Sequence, residues 1–107
     1  MLKLCSISEL EDNGCKGFAL GEKQIFAVRK NDSIYTYLNT CPHLGAPLNW
    51  QEDEFLDFGN ELIQCSVHGA LFLIESGECV SGPCIGDKLT PVASKIVDGV
   101  LYLTEEL

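Results

Sequence analysis

Two short stretches of this chain hold its only two histidines, and each histidine follows a cysteine closely: Cys41-Pro42-His43-Leu44-Gly45 and Cys65-Ser66-Val67-His68-Gly69. Between His43 and Cys65 lie 21 residues, so the two stretches are separate loops that a fold must bring together. Two thiolates and two imidazoles suit a tetrahedral zinc ion. They equally suit a 2Fe-2S cluster in which one iron takes both cysteines and the other both histidines. The glycines behind each histidine let backbone fold tightly around such a centre. Pro42, Gly45, Pro47, Gly59, Gly69, Gly77, Gly82 and Pro83 break up the alternation between Thr40 and Pro83. Backbone interrupted that often needs an anchor besides strand pairing.

The paired loops resemble those of the Rieske iron-sulfur family, whose motif is Cys-x-His-x-Gly followed by Cys-x-x-His-Gly. The resemblance extends to Ala46-Pro47-Leu48, Phe72, Ser76-Gly77-Glu78 and Ser81-Gly82-Pro83, and covers roughly residues 20 to 104. It implies that Cys41, His43, Cys65 and His68 bind a Rieske-type 2Fe-2S cluster, each histidine through one ring nitrogen with the other near the surface. It also implies that Ser81-Gly82-Pro83 is a third loop over the cluster, and that Leu44, Pro47 and Val67 limit access of solvent to it.

The departures from the family pattern narrow the expectation. Respiratory Rieske proteins join their two loops by a disulfide, and Ala46 and Val67 stand at the corresponding positions here. High-potential members hydrogen-bond the cluster sulfurs through a serine and a tyrosine, where Ala70 and Phe72 stand here. Missing donors leave the reduced cluster less stabilised, which implies a potential near the low end of the range, about −150 mV. The pattern looks like the soluble ferredoxins of ring-hydroxylating dioxygenases. That resemblance implies a non-enzymatic carrier passing single electrons from a flavin-containing reductase to a terminal oxygenase. Two other readings remain open: the small subunit of an assimilatory nitrite reductase, and a zinc-stabilised binding module. Visible absorption separates zinc from iron.

The elements that must hold these loops read as strands. Segments rich in β-branched and aromatic residues recur at Leu2 to Ile7, Gly17 to Leu20, Gln24 to Arg29, Ile34 to Leu38, Glu61 to Cys65, Leu71 to Ile74, Lys95 to Val97 and Val100 to Leu103. Asn31-Asp32 and Asp98-Gly99 are hairpin turns, and Gly59-Asn60 and Ser76-Gly77 are further turns. Ser6 to Asp12 has room for one helical turn behind a serine cap. The expected architecture is an all-β Rieske fold in one domain spanning residues 1–107. Its antiparallel base comprises about 1–38 and 85–107, and a smaller cluster-binding lobe comprises about 39–84. Cys5, Cys15, Cys79 and Cys84 have no histidine at ligand spacing and read as packing residues, with Cys79 and Cys84 able to pair under oxidation. Trp50 reads as packing too.

Length and composition agree. A chain of 107 residues, 46% hydrophobic and 21% charged, supports one core. Its apolar runs fall far short of the roughly 18 residues of a membrane span, so no membrane association is expected. Acidic residues arrive before an apolar leader can build up, so the expected location is cytoplasmic. The charge is uneven. Nine acidic and no basic residues lie between Asn31 and Asp87, while the remaining seven of each sign balance, which places the whole net charge of −9 in the middle of the chain. Such a field repels nucleic acid and favours a basic protein partner. The acidic run Glu52-Asp53-Glu54 with Asp57 is either a solvated loop or part of that docking face.

Overall fold

The computed structural model describes residues 2–40, 48, 55–57, 59, 61–65, 69–82 and 85–105. Over them the chain forms strands β1 (Leu2–Ser6), β2 (Cys15–Leu20), β3 (Lys23–Lys30), β4 (Ser33–Leu38), β5 (Leu62–Gln64), β6 (Leu71–Leu73), β7 (Cys79–Ser81), β8 (Ser94–Val97) and β9 (Val100–Leu103). These make three antiparallel sheets in the orders β1-β9-β8, β2-β3-β4 and β5-β6-β7. The all-β expectation holds, and every expected strand forms with its ends within two residues of those read from the sequence. Strand β7 is an addition. Cys79–Ser81 lies between Gly77 and Gly82, and its three residues carry too little alternation to announce a strand.

Local turn chemistry sets the registers. Asp98 and Gly99 both take positive φ, 50° and 74°, as a tight two-residue hairpin turn requires, and they close Val97 onto Val100. Asn31 at φ 57° turns β3 into β4 between the paired residues Lys30 and Ser33. The expected helical turn is a 3-10 turn over Ile7–Glu9, where the Glu9 carboxylate accepts the Ser6 N–H at 2.8 Å. Arg29 Nη1 donates to Leu10 O at 2.8 Å and so holds the end of that turn against β3.

Strand β3 is the spine of the molecule. Its run Ile25-Phe26-Ala27-Val28 is wholly buried, because core lies on both faces of it. Phe26 and Val28 point into the main cluster with Tyr37, Leu48, Phe55, Ile63, Cys65 and Phe72. The alternate residues serve the opposite face: Ala27 packs with Cys5, Leu10 and Leu101, and Ile25 with Val92 and Leu103. Burial of this kind is worth about 1.5–3 kcal/mol for each large side chain. It fixes the site-bearing half of the chain to the same strand that carries the terminal sheet.

The free edge of β4 is covered by an irregular segment. Leu38 N–H donates to Thr90 O and Val92 N–H to Thr36 O, both at 2.9 Å, while buried Thr36 fastens the segment through Oγ1 to Val92 O at 2.5 Å. Pro91, which has no N–H to give, falls between Thr90, whose carbonyl accepts, and Val92, whose N–H donates, opposite Tyr37. On the other side, Tyr37 donates its hydroxyl to Ile74 O at 2.6 Å and joins β4 to the turn after β6. Gly77 in that turn has φ 75°, and a Cβ there would lie 2.8 Å from the Tyr37 ring, so only glycine lets the turn close over the tyrosine.

Candidate metal centre

Of the four expected ligands the structure describes Cys65; Cys41, His43 and His68 lie outside the described residues. So do Leu44, Ala46, Pro47, Trp50, Glu52, Asp53, Glu54, Val67, Pro83 and Cys84. The roots of both loops are nevertheless visible. The first loop leaves β4 at Leu38, and Asn39 turns it while keeping its backbone N–H on Gln24 O at 2.8 Å. It returns at Leu48, whose N–H donates to Asn39 Oδ1 at 2.8 Å and whose side chain is fully buried.

The second loop is a continuation of the β5–β6 hairpin. Beyond the Gln64–Leu71 pair, Cys65 N–H donates to Ala70 O at 2.9 Å and Gly69 N–H donates to Cys65 O at 2.8 Å. Gly69 has φ 67°, the left-handed turn that brings the chain back so quickly. Cys65, Ala70 and Leu48 belong to one buried cluster, so the two loops spring from a common apolar floor that includes Phe72 and Phe55. Phe55 stacks on Phe26 at 4.5 Å between ring centroids, which ties this floor to the spine strand.

A third segment closes on the same place. Gly82 has φ 102°, and a Cβ added to it would lie 2.8 Å from Ala70 Cα, so the chain after β7 is laid directly against the second loop. Val80 and Ile85, on either side of it, are 46% and 68% exposed. These are large apolar side chains facing water beside the loop that the sequence placed over the cluster.

Two structural residues escaped the sequence reading. Asn39 is one, with no signal beyond an asparagine at a strand end. Asp57 is the other: its Oδ1 accepts Glu61 N–H at 2.9 Å and Leu62 N–H at 3.1 Å, holding the chain that enters β5. Asp57 therefore builds the inter-loop segment, a role the acidic-run reading did not assign it. Among the other cysteines, Cys5 is buried with its thiol pushed up by burial and by Glu9, Cys15 packs half-buried on the main cluster, and buried Cys79 directs its thiol to Ser81 O at 3.3 Å.

The residues present fit a 2Fe-2S group. Cys65 lies just beyond the last pair of a tightly closed hairpin, it is buried among apolar side chains, and Gly82 lies against Ala70 beside it. With Cys65, the sequence's Cys41, His43 and His68 would complete a mixed sulfur and nitrogen donor set.

Comparison with known proteins agrees. Residues 1–95 match the family described as Rieske [2Fe-2S] domain. Human apoptosis-inducing factor 3 is 29% identical over 100 residues, covering 94% of this chain and 16% of that protein. The chain thus spans about a sixth of the length of this curated relative. Among solved structures, the ferredoxin of carbazole 1,9a-dioxygenase from Nocardioides aromaticivorans IC177 superposes with a TM-score of 0.78 at 18% identity, over 98% of this chain and 97% of that one. A chain from the complex of reduced oxygenase and oxidized ferredoxin in carbazole 1,9a-dioxygenase superposes with a TM-score of 0.77 at 24% identity, over 96% and 100%.

Proposed function

The chain belongs to the Rieske [2Fe-2S] domain family, and from that premise we propose that it is a one-electron carrier that accepts electrons from a flavin-containing reductase and hands them to a terminal oxygenase. The observation that carries this reading is the common floor: Leu48 from the first loop and Cys65 and Ala70 from the second are buried in one cluster, beneath loops that contain two Cys-His pairs. When bound, the cluster supplies a one-electron couple. Cys41 and Cys65 would hold one iron as thiolates, and His43 and His68 the other as neutral imidazoles. Ala70 and Phe72, both fully buried, offer apolar surroundings without hydroxyl donors and so favour a low potential.

The chain's own part in transfer is docking and insulation. Two ferric ions, two sulfides and two thiolates cancel formally, so the oxidised holoprotein keeps the chain's −9 and reduction adds one negative charge. Exposed Val80 and Ile85 within this acidic half of the chain suit a partner face that is apolar at its centre and basic around it. The full-length structural likeness to a dioxygenase ferredoxin supports the oxygenase as partner. Coulometric titration with iron and sulfide analysis tests the carrier reading. About two irons and two sulfides per chain and one electron taken up are expected. A colourless protein with stoichiometric zinc would overturn it.

A further inference from the structure

We infer that Asn39 is a positioning residue for the first ligand loop, a clasp whose buried carboxamide fixes the separation of the loop's two ends and thereby the placement of Cys41 and His43. Among the described residues the buried polar side chains are Thr36 and Asn39. Thr36 fastens the segment that covers the edge of β4. Asn39 performs the equivalent task at the metal centre. Its Oδ1 accepts the Leu48 N–H across nine positions of sequence at 2.8 Å, in a buried setting. Its Nδ2 donates to Gln24 Oε1 at 3.3 Å and its backbone N–H to Gln24 O at 2.8 Å, so the clasp is itself held on β3.

The geometry makes the carboxamide oxygen the working atom. Leu48 is fully buried and its N–H donates to Asn39 Oδ1, so removing the oxygen takes away a buried hydrogen bond that ties the loop's return to its departure point. Segment ends that are released regain chain entropy, which opposes holding two ligands at fixed places. Asn39 is two residues before Cys41, too close in sequence for the error to be absorbed elsewhere.

This inference rests on the reading of Cys41 and His43 as ligands, and the test separates the two. Cys41→Ser and His43→Ala examine the ligands alone: a normal cluster in both would sink the ligand reading whatever Asn39 does. With the ligands established, Asn39→Leu in the holoprotein is expected to speed cluster loss about tenfold and to alter the visible circular dichroism of the cluster. Asn39→Asp keeps an acceptor oxygen in the same place and is expected to restore both towards native values. A native loss rate and spectrum in Asn39→Leu, or equal damage in the leucine and aspartate variants, would overturn the clasp. Should Asn39→Leu not fold, residue-level hydrogen exchange of the native oxidised holoprotein decides: a protected Leu48 amide supports the clasp, and an unprotected one contradicts it.

Discussion

The sheets β2-β3-β4 and β5-β6-β7 each have three antiparallel strands, yet they are held by different means. In the first, strands of six, eight and six residues form an unbroken ladder, and β3 is buried on both faces. In the second, each strand has three residues and the β6–β7 register slips between Leu71 and Phe72. So little ladder cannot hold its loops by pairing alone. Single contacts stand in for it: the Asn39 carboxamide on Leu48, Asp57 on the entry to β5, and Gly82 against Ala70. The difference teaches where a cofactor contributes to stability. The first sheet is a scaffold in its own right, while the second is held by local clasps and, on the proposed ligand set, would gain stability from the bound cluster.

Phe26→Ala should have the largest effect, because this ring stacks on Phe55 of one region and lies 5.8 Å from Tyr37 of the other. A loss of about 3–5 kcal/mol in chemical denaturation is expected, with both sheets melting in one transition. Separate transitions would break the view of a shared spine. Reductive chelation of iron should come next. Amide exchange in β5 to β7 is expected to accelerate by about two orders of magnitude while Phe26 and Val28 keep their protection. Equal acceleration in both sheets would erase the distinction.

A smaller effect is expected at the joint between them. Burial pushes Tyr37 up to about 12, with Tyr35 and Glu75 adding to the shift. The unfolded chain loses that proton near about pH 10. The stabilisation is therefore complete below about pH 10 and is lost as pH rises through about 12. Urea midpoints measured across that alkaline window should fall less steeply in Tyr37→Phe than in the native protein, and equal slopes would remove Tyr37 from the joint. The finest test concerns the metal centre itself. Ala70→Ser and Phe72→Tyr should each raise the midpoint potential by about 60 mV, the equivalent of about 1.4 kcal/mol of hydrogen bonding to the reduced cluster. Unchanged or lowered potentials in voltammetry would show that these positions do not face the cluster sulfurs.

Much of the scaffold was legible because its signals are local. The run Gln24 to Arg29, the Asn31 and Asp98-Gly99 turns and the alternation of β9 each state their structure within a few residues. The cofactor class was legible for a chemical reason, since two Cys-His pairs have few uses. What did not show was everything that depends on distance in sequence. Cys79–Ser81 becomes a strand through its partner β6, and Asn39 becomes a clasp only when Leu48 returns to it. Asp57 read as part of an acidic run, although its carboxylate is spent on the two backbone amides of Glu61 and Leu62. Charge in a sequence reports solvation by default, and hydrogen bonds to backbone amides leave no mark in it.

The central claim is that the loops rooted at Leu48 and Cys65 present a mixed cysteine and histidine ligand set to one 2Fe-2S cluster. Pulsed electron paramagnetic resonance of the reduced protein tests it most directly, because nitrogen bound to iron couples to the unpaired electron. Two strongly coupled imidazole nitrogens are expected, with one lost in His43→Cys and the other in His68→Cys. A reduced cluster without coupled nitrogen, or one whose coupling survives both substitutions, would contradict the account.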